Sequence, residues 1–200
     1  IRDNIRHRND ILNAYIEAID NAREEILIAN AYFMPGVRFG RAIYAAAKRG
    51  VKITVLLQGK SDHPFLQLAT QTLYGALLDN QIRIFEYEKS FMHAKVAVID
   101  GEWATVGSSN IDPFSLLLAK EANIVVRDRD FAGELRRSVH EAMELGAREV
   151  LQSDLALQPL YKQLFSWLSY GLVRAMVGIT GYGPKHWQAD EETPGTTLTE

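Results

Sequence analysis

FMHAKVAVIDGEWATVGSSNIDPFSLLLAKEANIVV, residues 91–126, holds the chain's densest chemistry and its clearest local folding signal. Two apolar runs, Val96–Ile99 and the segment through Trp103 and Val106, flank Asp100-Gly101. Asp-Gly between such runs predicts two strands joined by a two-residue hairpin turn. In that register Ile99 faces Glu102, Lys95 faces Val106 and His93 faces Ser108, with Asn110 diagonal to His93. His93 and Lys95 are two residues apart, so on a strand they share a face. One local rule thus gathers an imidazole, an ammonium, a hydroxyl and a carboxamide. By strand parity Asp100 lies on the opposite face from Lys95, which on physics alone makes it a turn residue.

These groups suit a phosphodiester. A neutral imidazole can attack phosphorus and split one hard step into two. An ammonium, a hydroxyl, an amide and backbone N–H groups can hold the non-bridging oxygens as charge develops. Gly107, before Ser108, would let backbone approach the phosphate closely. A carboxylate behind the imidazole would fix its tautomer, and Glu121 is the candidate. No metal-ligand cluster, P-loop or GxSxG elbow is visible, and no cofactor is expected.

Outward from this stretch, helical and strand periods alternate. Helices are predicted over 6–24, 39–48 and 65–78, and strands over 25–32, 51–57 and 82–87. That order predicts a largely parallel sheet covered by helices. A further amphipathic helix is predicted over 129–146, and a domain closing near residue 150. Asp62 and His63 fall in a loop just after a strand, where α/β sheets bind ligands, and form a secondary candidate pair. His7, His140 and His186 read as surface or packing residues.

Residues 151–200 form a different segment. An apolar helical face runs from Leu160 to Thr180, with Trp167 and Tyr170 nearby and Lys162 and Arg174 inside it. A buried arginine costs roughly 2.5–3.5 kcal/mol on insertion scales, which argues against a span. Two readings stand: a helix lying in a membrane interface, or one packed on the domain or on further chain. The last stretch is rich in Gly, Pro, Thr and acids, and disorder is expected there.

The chain has 22 basic and 25 acidic residues, a net charge of −3, and no cysteine. That excludes disulfides and thiol nucleophiles and disfavours nucleic-acid binding by bulk positive charge. It begins Ile-Arg-Asp-Asn, and the expectation is a fragment of a longer chain.

His93-x-Lys95-x4-Asp100-x6-Gly107-Ser108-x-Asn110 resembles, at every position, the HKD signature of the phospholipase D superfamily. The flanks NAYFMPG, AAAKRGVKITVLLQGKSD, YGALL, IRIFEY and KEANIVVRDRDF resemble the C-terminal half of bacterial cardiolipin synthases, most closely the B type. The likeness covers roughly residues 1–150. It implies an α/β/α layered half-domain around a mixed sheet, two such halves completing one site. The second half would come from the same chain or from a homodimer. It also implies that one motif histidine attacks phosphorus and the other protonates the leaving alcohol. Lys95 and Asn110 would bind phosphate, Ser108 would support the site, and Glu121 would orient the histidine. Asp100 would be the motif aspartate, counted with His93 and Lys95 as catalytic. The family usually has asparagine two residues before that glutamate, where Ala119 stands here. The implied reaction moves a phosphatidyl group from phosphatidylglycerol, through phosphohistidine, to another lipid's glycerol hydroxyl. The implied partners are phospholipid and a membrane surface, not nucleic acid, with peripheral attachment to the cytoplasmic side of a bacterial inner membrane. A homodimeric phosphodiesterase or nuclease is the second reading.

Overall fold

The structure is a computed structural model that describes residue 7 and residues 9–60, 64–112, 115–116, 119–156 and 160–176, with the backbone alone at 160–163 and 173–176. Asp62, His63, His186 and the expected disordered end lie outside the described residues. In chain order come α1 (Asp10–Asn21), β1 (Glu25–Asn30), α2 (Val37–Lys48) and β2 (Lys52–Gln58). The helix expected over 65–78 is two helices, α3 (Pro64–Gln71) and α4 (Tyr74–Asp79). The break has a local cause. The hydroxyls of Thr70 and Thr72 donate to the carbonyls of Leu66 and Ala69, at 2.9 and 2.7 Å, and compete with the helical ladder.

Next are β3 (Arg83–Tyr87), β4 (Lys95–Ile99), β5 (Trp103–Gly107) and β6 (Asn123–Arg127). They are followed by α5 (Arg129–Gly146), β7 (Ala147–Val150), α6 (Gln152–Ala156) and α7 (Leu160–Met176). The seven strands form one sheet in the order β6-β5-β4-β1-β2-β3-β7. Parallel pairing is confined to β1, β2 and β3, and every other neighbouring pair is antiparallel. The sheet is therefore mixed, with less parallel pairing than the alternation of elements suggested. The hairpin adds β4 and β5 antiparallel to β1, and β7 closes the far edge.

Both faces are covered, in an α/β/α sandwich. One face buries Ile26, Ile28, Ile53, Val55, Ile84 and Ile99 under Tyr15, Ile19, Phe39, Ile43 and Leu77 of the α1, α2 and α4 layer. The other buries Leu27, Ala29, Leu56, Val98 and Ala104 under Ala132, Val139 and Met143 of α5. α7 packs along α3. Among the described residues no helix is long and apolar enough to cross a membrane.

The hairpin differs from expectation by one residue. Trp103, not Glu102, stands opposite Ile99, and Val106 stands opposite Val96, not Lys95. Asp100 and Gly101 do adopt positive φ, 51° and 62°, and Glu102 N–H donates to the Ile99 carbonyl at 3.1 Å. Glu102 is then an extra residue before the ladder resumes. Packing decides the register. In the observed pairing Trp103 points to the same face as Ile99, where its ring lies 5.7 Å from that of Tyr15 under α1. A slip of one residue would turn the indole to the opposite face of the sheet.

A polar cluster sits inside the α3/α4 layer. Buried Glu86 accepts from Tyr74 Oη at 2.9 Å, from Gln71 at 3.3 Å and from Arg148 at 2.9 Å. Burial, and then the Glu86 charge, push the Tyr74 phenol well above its ordinary range. This cluster pins β7 to β3 and serves the fold rather than the site.

Candidate active site

The sheet topology decides which residues can meet. The parallel strands β1, β2 and β3 end together at one rim of the sheet. Because β4 is antiparallel to β1, it begins at that rim, where Lys95 pairs with Asn30. The end of β5 at Gly107 and the start of β6 at Asn123 are paired there as well. His93, Lys95, Ser108, Asn110 and Glu121 therefore gather at the carboxyl rim of the parallel strands, the usual ligand end of an α/β sheet.

Asp100 does not join them. It lies five residues from Lys95 at the other end of β4, about 17 Å away for an extended strand. Its carboxylate accepts from the backbone N–H groups of Arg23, Glu24 and Glu25 at 2.8, 2.9 and 2.9 Å. Those N–H groups open β1, so Asp100 fastens the hairpin to the start of the central strand.

At the site rim the side chains divide by burial. His93 is exposed, presented just outside β4 next to exposed Phe91. Lys95 is only 7% exposed, and its Nζ donates to the His93 carbonyl at 3.2 Å. Burying an ammonium is costly unless it is paired, and an anion bound at this rim would add to its partners.

The Ser108–Asn110 loop is sewn down on both sides. Ser108 N–H donates to the Ala122 carbonyl at 3.0 Å, and Ala122 N–H donates to Ser108 Oγ at 3.1 Å. The Ser108 hydroxyl donates in turn to the Glu121 carboxylate. Glu121 thus engages Ser108, not the His93 imidazole it was expected to orient. Ser109 N–H donates to Asn123 Oδ1 at 3.3 Å. On the other flank Met34 N–H donates to the Ile111 carbonyl at 2.7 Å, and Ile111 N–H donates to Asn30 Oδ1 at 3.3 Å.

Gly107 also has a different reason from the expected one. A Cβ there would lie 2.6 Å from the Ala122 carbonyl oxygen and overlap the Asn123 side chain. The space is taken by the neighbouring strand, not left for a phosphate. Gly107→Ala is expected to cost about 1–3 kcal/mol by overpacking. It should also displace the Ser108–Asn110 loop, so that Tm and turnover fall together. A Tm equal to wild type would contradict this packing.

Asn30 was not singled out in the sequence. It is fully buried between Lys95 and Leu57, at the end of the apolar run Ile26–Ala29. Among the described residues its Nδ2 has no hydrogen-bond partner, and neither has the buried Oδ1 of Asn110. Buried polar atoms left open cost roughly 1–3 kcal/mol each, which makes their presence at one rim informative. An amide turned by 180° presents its donor in the same place, so both side chains can supply N–H groups to a bound anion. The available signal was a polar residue closing the apolar run Ile26–Ala29. Among the described residues no cluster of His, Cys, Asp or Glu is arranged to hold a metal.

Comparison with known proteins gives the chain a family. A family described as "Cardiolipin synthase, PLD-like domain" matches residues 15–143. Cardiolipin synthase B of Escherichia coli K12 is 39% identical over 185 residues, covering 92% of this chain and 45% of that protein. The chain therefore spans less than half the length of that relative. Among solved structures, NucT from Helicobacter pylori is 25% identical with a TM-score of 0.58, over 68% of this chain and 89% of that one. Phosphatidylserine synthase of Haemophilus influenzae Rd KW20, 11% identical with a TM-score of 0.65, shares the fold over 84% of this chain and 43% of its own.

Proposed function

The chain belongs to the phospholipase D-like domain family of cardiolipin synthases, and from that premise we propose that it is the C-terminal half of a phosphatidyltransferase that makes cardiolipin. What carries this reading is the meeting of exposed His93 with buried Lys95 and the anchored Ser108–Asn110 loop at one rim. One of the two site histidines, His93 or its counterpart in the second half, attacks the phosphorus of phosphatidylglycerol, and a P–N bond forms as the P–O bond to glycerol breaks. The departing glycerol oxygen takes its proton from the other histidine. That histidine then removes a proton from the incoming lipid hydroxyl, which attacks phosphorus and breaks the P–N bond. Lys95, Asn30 and Asn110 hold the non-bridging oxygens while negative charge builds on them. Peripheral attachment to the inner membrane, on its cytoplasmic side, belongs to the same proposal.

The experiment is reconstitution. Residues 1–200 alone, given phosphatidylglycerol vesicles, are expected to form no cardiolipin by lipid mass spectrometry. Co-expressed with the preceding half of the protein, they should form it. Cardiolipin made by monomeric 1–200 would overturn the two-half reading. The second reading, a homodimeric phosphodiesterase, draws on the match to NucT over most of that chain's length. A dimer of 1–200 that cleaves bis(p-nitrophenyl) phosphate would favour it.

A further inference from the structure

α7 is built the wrong way round for a helix of a soluble domain. Among its described side chains, 164–172, those buried are Ser166, Ser169 and Tyr170. Leu164, Phe165, Trp167, Leu168 and Leu172 are 53% to 60% exposed. At 100° per residue these five fall on one broad arc, and the buried three fall on the opposite side. Small serines let α7 lie close to α3, and Tyr170 enters the main core. No charged residue interrupts residues 164–172, LFSWLSYGL. The Trp167 ring meets Tyr170 edge to face at 6.3 Å, which braces the indole at the border between the two arcs.

A contiguous apolar face of this kind marks an interaction site. From its composition and its position we infer that the outward arc of α7 is a docking surface for a phospholipid bilayer. Leucine, phenylalanine and tryptophan gathered on one outward face of a helix suit the headgroup boundary. Position argues against the second half of the enzyme as the occupant. α3, which carries α7, is tied to the β3 side of the sheet, since Gln71 donates to Glu86. His93 and Ser108 lie on the β4–β5 side, with β1 and β2 in between. A partner that brings a second histidine to His93 must cover the β4–β5 side, whereas α7 lies on the β3 side. The following residues, 177–200, are dominated by Gly, Pro, Thr and acids and supply few apolar groups to cover it. α3 starts just after β2 ends, so the docked flank adjoins the site rim. The surface rests on the lipid-transferase reading for its purpose but not for its test.

The test uses the full-length protein and a Leu164→Glu/Leu168→Glu variant. Cosedimentation with vesicles of phosphatidylcholine and phosphatidylglycerol should show at least a tenfold loss of binding in the variant. Turnover of a soluble short-chain phosphodiester should be unchanged, because neither residue touches the site. In a background in which Trp103, Trp187 and any tryptophan of the other half are replaced by Phe, brominated lipid should quench Trp167 emission. Wild-type vesicle binding by the glutamate variant would overturn the proposal. So would dissociation of a protein assembly on substitution, which would make the arc a protein interface. If no variant turns over any phosphodiester while vesicle binding still depends on the arc, the transferase reading fails and the docking surface stands.

Discussion

His93→Ala is expected to lower kcat for cardiolipin formation by at least about 10⁴-fold, the scale seen when a nucleophile or its base is removed from a covalent mechanism. The fold should be indifferent to the change. The imidazole is exposed, and no hydrogen bond within the described residues depends on it. Tm should therefore stay at the wild-type value, which separates chemistry from unfolding. A second measurement assigns the role. With a p-nitrophenyl phosphodiester the leaving group needs no proton, so a variant lacking only the general acid recovers most of its rate. A variant lacking the nucleophile does not recover, and forms no acid-labile phosphoryl adduct. If His93→Ala makes cardiolipin at the wild-type rate, the site has been placed wrongly.

Asp100→Ala should fail in the opposite way, by losing stability rather than chemistry. Its carboxylate accepts three backbone N–H groups at the start of β1. Hydrogen bonds to charged groups contribute roughly 1.5–3 kcal/mol each when shielded from water, and these are partly exposed, so a total loss of about 3 kcal/mol is expected. Alanine also tolerates the positive φ of this position poorly. Asp100→Asn keeps one acceptor and a residue type at ease with positive φ, and should lose about 1 kcal/mol. Urea titration measures the loss, and kcat per folded molecule should match wild type in both variants. A fully stable Asp100→Asn protein without activity would return the aspartate to the catalytic group.

What the sequence disclosed, and what it concealed, follows the range of the forces involved. Local rules worked where the physics is local. The Asp-Gly turn formed, with positive φ at both residues, and the amphipathic helix over 129–146 formed with Asp128 capping Phe131 N–H at 2.8 Å. The hairpin register was hidden because Trp103 chooses its face by packing on Tyr15, which lies 88 residues earlier. The duty of Asp100 was hidden likewise, since its partners lie 75 to 77 residues away. β7 (AREV) is short, half polar and directly continuous with α5, so no turn signal announces it. Asn30 looked like a residue ending a strand, and only the neighbouring Lys95 and the Ile111 loop reveal it as part of the rim. The motif residues were legible as a set, whereas their mutual geometry was not.

α5 has a consequence for how the molecule can move. It starts next to the β6 edge and runs directly into β7 at the opposite edge. Its 18 residues measure about 27 Å, close to the roughly 29 Å width of seven strands. The helix is thus a chord drawn from rim to rim beneath the sheet, sealed at its far end where Glu88 N–H donates to the Gly146 carbonyl at 2.8 Å. The two flanks cannot spread without stretching that chord. Whatever seizes one flank must carry the other with it, so the sheet travels as a single stiff plate and any hinge must lie outside it.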